Sequence, residues 1–316
     1  MRGGSLWTMT DPQPQYHVAR AADMAFAPPG GPAGAHSAGL SRVTLVGRGV
    51  GAVHTGLALA RIEPGGHVGM HLHSTEQSVY VLSGNPTLFT EGNRHRLSAN
   101  ECGLLPVGVT HGYRNDSDEP ALLLEANSPV PRTSGPADTF WTGEPLPEQA
   151  GSEPDIRDPR TRTLFRLGPG QMDVDNLKIG SAVDAPTVSA SMATALLAYS
   201  GIAVKMLVDQ RLGAVLHSLF MVEYQPGGVA QPHDHPLEES YYILEGEVVA
   251  TANDDEFTLR AGDVFWTGVG CIHAFYNRSS GRVRWLETQA PQLPSNYSYR
   301  FNRDWDYLAE RIGGNG

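Results

Sequence analysis

The stretch GGVAQPHDHPLEESYYILEG, residues 227–246, sets His233 and His235 on either side of one residue and places Glu239 four positions on, between turn glycines. An earlier copy, GGHVGMHLHSTEQSVYVLSG, occupies residues 65–84, with His71, His73 and Gln77 at the matching places. His111 and Asn115 match His273 and Asn277 in the same way, and each of these pairs is 162 positions apart. The shift runs without insertion from Gly51 and Gly213 to Pro129 and Pro291. Chance does not align ligand-type residues, turn glycines and flanking apolar runs together, so the chain is an internal duplication.

Within each copy the pattern is β. Residues 57–62 and 219–224 read as strands ended by Pro-Gly-Gly turns, and 78–82 and 241–244 as strands leading into Ser-Gly and Glu-Gly turns. Further strands are expected at 247–252, 256–259, 263–266 and 282–287. Many short strands between regular turns indicate an all-β sandwich or barrel. Helical patterns are confined to 190–199 and 305–311. The expected organisation is an extended arm over 1–38, a first barrel over 39–130, a linker over 131–162, a second barrel over 163–292 and a C-terminal segment over 293–316 that packs back on a barrel or on a partner chain. In the linker, Thr139, Phe140 and Trp141 are the residues able to pin it down.

Composition narrows the class. With 40% hydrophobic and 18% charged residues, the 316-residue chain has enough apolar material for two cores. A net charge of −11 repels nucleic acid and anionic membranes, so neither is an expected partner. No apolar run approaches the ~20 residues of a membrane span. The first fourteen residues lack the apolar core of a secretory signal, which leaves a cytoplasmic protein as the expectation. The two cysteines, Cys102 and Cys271, read as reduced, buried thiols.

Two histidines one residue apart on an extended segment face the same side of a sheet. Glu239 begins the next strand and can face the same interior, and His273 follows a Gly-x-Gly turn as a fourth donor. Neutral imidazoles with one carboxylate suit Fe(II), Mn(II), Co, Ni or Zn rather than Ca or Mg. In the first copy Gln77 removes a negative charge, so His71, His73, Gln77 and His111 form a weaker second candidate site. Glu76 lies one residue off register, which turns it away from that site; its counterpart Glu238 is expected to be solvated or to sit behind the ligands. Tyr241, Tyr242, Phe265, Trp266, Phe275, Tyr276 and Trp285 are expected as core before pocket. Lys205, Arg211 and His217 are expected at the surface, with substrate carboxylate binding as the alternative.

These residues resemble the two motifs of the cupin superfamily, G-x5-H-x-H-x3-E-x6-G and G-x5-P-x-G-x2-H-x3-N. In the second copy the match departs only at Gly268, where the family usually has proline. In the first, Asn100-Glu101 replaces Gly-Asp, while Pro106, Gly108 and Asn115 fit. The resemblance covers roughly 40–128 and 200–290. It implies two tandem jelly-roll barrels, a bicupin, with His233, His235, Glu239 and His273 as metal ligands. Glu239 and His273 are the residues expected to act in catalysis, with chemistry favoured in the second barrel. The implied activity is a metal-dependent dioxygenase or other oxidoreductase acting on a small polar or aromatic metabolite with dioxygen, as in the gentisate and quercetin bicupins, with Fe(II) or Mn(II) ahead of Ni or Zn. A non-redox hydrolase, isomerase or lyase, resembling ureidoglycine aminohydrolase, is the alternative, and a non-catalytic metabolite-binding bicupin the third reading. A homodimer is compatible with this plan.

Overall fold

The computed structural model describes residues 15–133, 137–154, 163–166, 172, 201–210, 212–292 and 300–301. The helices expected at 190–199 and 305–311, and Arg211, lie outside them. The described residues form curled antiparallel sheets that close into two β-barrels, with one short α-helix, Gly31–Ala35, as the only α-helix among them.

The pleat distributes each strand's side chains between two cores. In Ala121–Ser128, Ala121 and Leu123 enter the first barrel, whereas Leu124 and Ala126 enter a core shared by the two barrels. In Val283–Ala290, Val283 and Trp285 enter the second barrel and Leu286 the shared core. The shared core joins Leu57, Leu59, Tyr80 and Leu104 to Leu207, Leu219, Met221 and Trp266. Each such large apolar side chain contributes about 1.5–3 kcal/mol on full burial, so the barrels are packed as one body.

The two copies differ where the Pro-Gly-Gly turn was expected to end a strand. In the first, one strand runs through that turn as Gly56–His73. In the second, it is interrupted between Ser218–Tyr224 and Val229–Asp234. The neighbouring strand supplies the reason. Ser37–Val46 pairs on both sides of the first turn, with Leu40 opposite Ile62 and Ala38 opposite His67, whereas Ile202–Val208 begins opposite Tyr224.

Strands from outside the repeats complete the sheets. Tyr16–Ala19, within the expected arm, pairs with Val264–Thr267 of the second barrel, and Asp263 fastens it through Arg20 at 2.8 Å and the Ala21 amide at 2.9 Å. Leu164–Arg166 pairs with Glu101–Leu105 of the first barrel, although residue 163 was expected to open the second. Thr139–Trp141 adds to the end of Gly56–His73, and Arg300–Phe301 adds to Val229–Asp234 at the equivalent place.

Two carboxylates lock the barrels together. Glu238, expected to be solvated or behind the ligands, is buried and accepts from the amides of Val53, His54 and Thr55 at 2.9–3.1 Å. Glu76 mirrors it, accepting from Val215, Leu216 and His217 at 2.8–3.2 Å. His217, expected at the surface, is buried between Glu76 at 2.8 Å and Ser78 Oγ at 2.6 Å. Lys205 is buried as well, on a strand at the edge of the shared core.

Burial alone would raise the Glu76 carboxyl, but the His217 side chain and the Val215 and Leu216 amides outweigh it and hold it below its ordinary value of 4.5. Because the folded value is the depressed one, this carboxylate's contribution to stability is complete above pH 4.5 and is lost as pH falls through the folded value. Glu76→Gln should therefore destabilise the protein by about 2–4 kcal/mol at pH 7. It should also flatten the fall in Tm on acidification below about pH 5. Thermal melts of both proteins across pH check this; parallel curves would mean that the carboxylate does not carry the lock.

Candidate metal centres

Each barrel brings three imidazoles together. In the first, His71 and His73 sit two apart at the end of Gly56–His73, and His111 opens His111–Arg114 directly opposite His71. Ring centroids are 4.3 Å apart for His71 and His111, 4.8 Å for His71 and His73, and 5.1 Å for His73 and His111. In the second, His233 is opposite His273 at 4.4 Å, and His235 follows the strand end at 4.9 Å from His273. Within each triad the nearest ligand atoms all lie within 4.8 Å of one another.

The proton positions favour ligation. His71 Nδ1 faces the Gly69 carbonyl at 2.8 Å, His111 Nδ1 that of Val109 at 2.9 Å, His233 Nδ1 that of Gln231 at 2.7 Å and His273 Nδ1 that of Cys271 at 3.0 Å. A carbonyl only accepts, so Nδ1 carries the hydrogen and Nε2 presents its lone pair to the barrel interior. His73 Nδ1 is held by the Thr139 hydroxyl at 2.9 Å, a partner supplied by the linker strand. Burial drives the basicity of His71, His73, His111 and His233 down to about 3, so all four are neutral donors at physiological pH. Burial also opposes charge on His235, but Glu239 at 2.7 Å outweighs it and raises that imidazole. The buried His111 Nε2 has no protein partner. Convergent, pre-oriented nitrogens, neutral at His71, His73, His111 and His233, are the kind of donor set that borderline divalent ions require.

The Cupin domain family (Cupin_2) matches residues 58–127 and again 220–288. The chain is a bicupin. One curated relative, a germin-like protein (subfamily 2 member 2) of Arabidopsis thaliana, is 36% identical over 87 residues, 26% of this chain and 40% of that protein. The bicupin thus spans less than half the length of that relative. Among solved structures, oxalate decarboxylase of Bacillus subtilis superposes with a TM-score of 0.59 at 16% identity, covering 95% of this chain and 83% of that one. A formate complex of oxalate decarboxylase from Lactobacillus farciminis superposes with a TM-score of 0.58 at 17% identity, covering 94% and 93%. At these identities the superpositions establish the fold.

The fourth position separates the bicupin's two sites. Glu239 is buried, with Oε2 2.7 Å from His235 Nε2 and 3.4 Å from His273 Nε2, and its other oxygen accepts from Gln289. Burial would raise this carboxyl, but His235 and His273 hold it well below the usual range. Tyr241, two residues on, donates to Glu239 and lies 3.0 Å from His273 Nε2. Gln77, at the equivalent point of the first barrel, reaches Asn127 at 3.3 Å and leaves its buried Oε1 unpartnered.

The barrels also differ in filling. Tyr241, Phe265, Phe275 and Trp285 pack ring on ring inside the second, with centroids 4.8 Å apart for Tyr241 and Phe275 and 5.2 Å for Phe275 and Trp285, and Tyr242 and Trp266 enter the shared core; of the aromatics expected as core, Tyr276 alone is only partly buried. The first holds a cavity of about 250 Å³ that reaches His71, His73 and Gln77 and is lined also by Arg42, Tyr113, Glu125 and Trp141. A larger cleft of about 1200 Å³, lined among others by Tyr80, Asn100, Tyr242 and Arg284, contains none of the imidazoles. Arg42, Tyr113, Glu125 and Thr139 were not singled out for this site from sequence. Their signal was weak: Arg42 is one arginine in an apolar strand, outside the span over which the repeat is legible.

Metal analysis should find divalent transition metal in the purified protein. His233→Ala should empty the second site and His111→Ala the first, each with little loss of secondary structure. Thr139→Val, which releases His73, should weaken the first site about 10-fold or more. Retained stoichiometry in both histidine variants would remove the triads from consideration as metal centres.

Proposed function

We propose that this bicupin is a metal-dependent enzyme acting on a small polar metabolite, an oxidoreductase of the dioxygenase kind with Fe(II) or Mn(II) as its ion. The observation that carries the reading is the pair of buried imidazole triads, with Nε2 atoms converging and Nδ1 atoms tied back. A cavity that reaches His71, His73 and Gln77 gives a small molecule room beside the first triad, which an ion that merely braced a barrel would not need. His71, His73 and His111 would hold the ion in the first barrel, and His233, His235, Glu239 and His273 in the second. When bound, such an ion supplies Lewis-acid polarisation and, for Fe or Mn, one-electron chemistry toward dioxygen.

The chain's own groups set the electrostatics around it. In the second barrel the Glu239 carboxylate offsets part of a divalent charge. In the first, three neutral imidazoles and an uncharged amide offset none, which favours an anionic substrate over a neutral one. Glu239 can hold or move a proton at Oε2, where it meets Tyr241 and His235; Gln77 has no ionisable oxygen and can only orient.

A lyase is the second reading, favoured by the two structural neighbours named oxalate decarboxylases. One experiment separates them. Protein reconstituted with Fe(II) or Mn(II) is offered small hydroxy-, keto- and dicarboxylates and catechols while oxygen uptake and CO₂ release are recorded together. Stoichiometric oxygen uptake is expected. CO₂ release with no net oxygen consumption would replace the oxidoreductase reading with the lyase one, and turnover of nothing across the panel by fully loaded protein would count against an enzyme.

A further inference from the structure

We propose that the first barrel is the substrate chamber, and that Arg42 and Tyr113 receive the carboxylate of a short acid carrying a second oxygen donor. This rests on reading the His71, His73 and His111 triad as a metal centre.

The two copies of the repeat are each other's control. Arg42 lies opposite Ala60 on the first barrel's sheet, and the residue at the same register in the second, opposite Val222, is Val204. Tyr113 corresponds to Phe275, Val79 to Tyr241 and Leu123 to Trp285, each 162 positions on. In every case the second barrel carries the group that fills or greases its interior, and the first carries the group that empties or polarises it. The outcome is the cavity of about 250 Å³ in the first barrel, against stacked rings in the second, where the Tyr241 hydroxyl already engages Glu239 and His273.

The polar equipment of the cavity points to the ligand. Tyr113 is buried and its hydroxyl has no protein partner, so its O–H is available to donate to a ligand in the cavity. Arg42 is held by Glu125 through one guanidinium nitrogen, and its partly exposed side chain has further donors to offer. Gln77 Oε1 is a buried acceptor without a donor. A tyrosine hydroxyl together with an arginine suits a carboxylate, and a lone acceptor suits a hydroxyl. Arg42 and Glu125 cancel, so a divalent ion on neutral imidazoles would leave the chamber positive and select an anion. The volume sits below the ~300–1000 Å³ of ordinary ligand pockets, which limits the acid to a few carbons. Gly30, Pro32 and Ala33 of the arm and the Arg132–Asp138 pair of the linker complete the lining of the cavity.

The test uses Mn(II)-loaded full-length protein, with glycolate as probe and ethylene glycol as its uncharged counterpart. Binding is followed by electron paramagnetic resonance of Mn(II) and by calorimetry. Glycolate should perturb the signal saturably and ethylene glycol should not. The response should survive His273→Ala, which empties the second site, and vanish with His111→Ala. Arg42→Met with Glu125→Gln, which removes both charges together, should weaken glycolate at least ten-fold with Mn(II) content unchanged, Tyr113→Phe should weaken it several-fold, and Arg42→Lys should retain part of the affinity. Melting curves check that each variant is folded. No response of the loaded wild type, or a response abolished by His273→Ala and kept in His111→Ala, overturns the proposal. Failure of the first triad to hold Mn(II) at all is a different result: it removes the metal reading on which the proposal rests.

Discussion

Neighbouring side chains on a pleated strand point to opposite faces, and this constraint ties assembly to chemistry at residues 76–77 and 238–239. Gln77 and Glu239 face the interiors of their barrels, beside the imidazoles. Glu76 and Glu238, one residue earlier, necessarily face the other barrel, where each gathers three backbone amides from the loop ahead of the partner's first repeat strand. A buried carboxylate is tolerated only when its lone pairs are filled, and amides of a loop held in one conformation fill them. The junction between barrels is therefore set within one residue of each metal candidate. A slip of that strand by one position would break the lock and turn the ligand position away together.

Duplication with a reciprocal lock frees the two interiors to diverge. The shared core and the paired glutamates are the same on both sides, so neither barrel needs its own interior to be tightly filled for the pair to stay together. The second interior nonetheless became a packed aromatic core around a four-donor site. The first kept a cavity, an arginine and a site one charge poorer. A filled interior and an open cavity compete for the same space inside a small barrel, and here they fall in different copies. Under the proposal that the first barrel is the substrate chamber, the weight which the intact Glu239 motif gives to the second barrel moves to the first.

Period two and the repeat made the all-β architecture and the histidines legible from the sequence, because both signals are local: side-chain alternation fixes which residues share a face, and duplication doubles every observation. The roles of Glu76, Glu238 and His217 were not legible, since each depends on a contact between residues about 140 to 185 positions apart. Tyr16–Ala19 looked like a loose arm because its partner, Val264–Thr267, lies some 250 residues on. Arg42 was missed for another reason. Its meaning comes from contrast with Val204, and the strands that carry the two lie before the stretch where sequence identity between copies is visible. Register in the folded sheet extends the alignment further than residue identity does.

The linker shows how closely this architecture binds connection to site. Thr139–Trp141 pairs with the three residues His71–His73, Thr139 orients His73, and Trp141 lies against His71 at 4.7 Å while stacking on His36 of the arm at 5.0 Å. A segment whose composition reads as a surface crossing thus supplies one wall of the first cavity and one hydrogen bond to a ligand. Arg300–Phe301 takes the same place on the His233 strand. Each copy therefore uses the chain that follows it to finish its histidine-bearing edge, and a cut at the end of either repeat would leave that edge open and, in the first barrel, His73 without the partner that aims it.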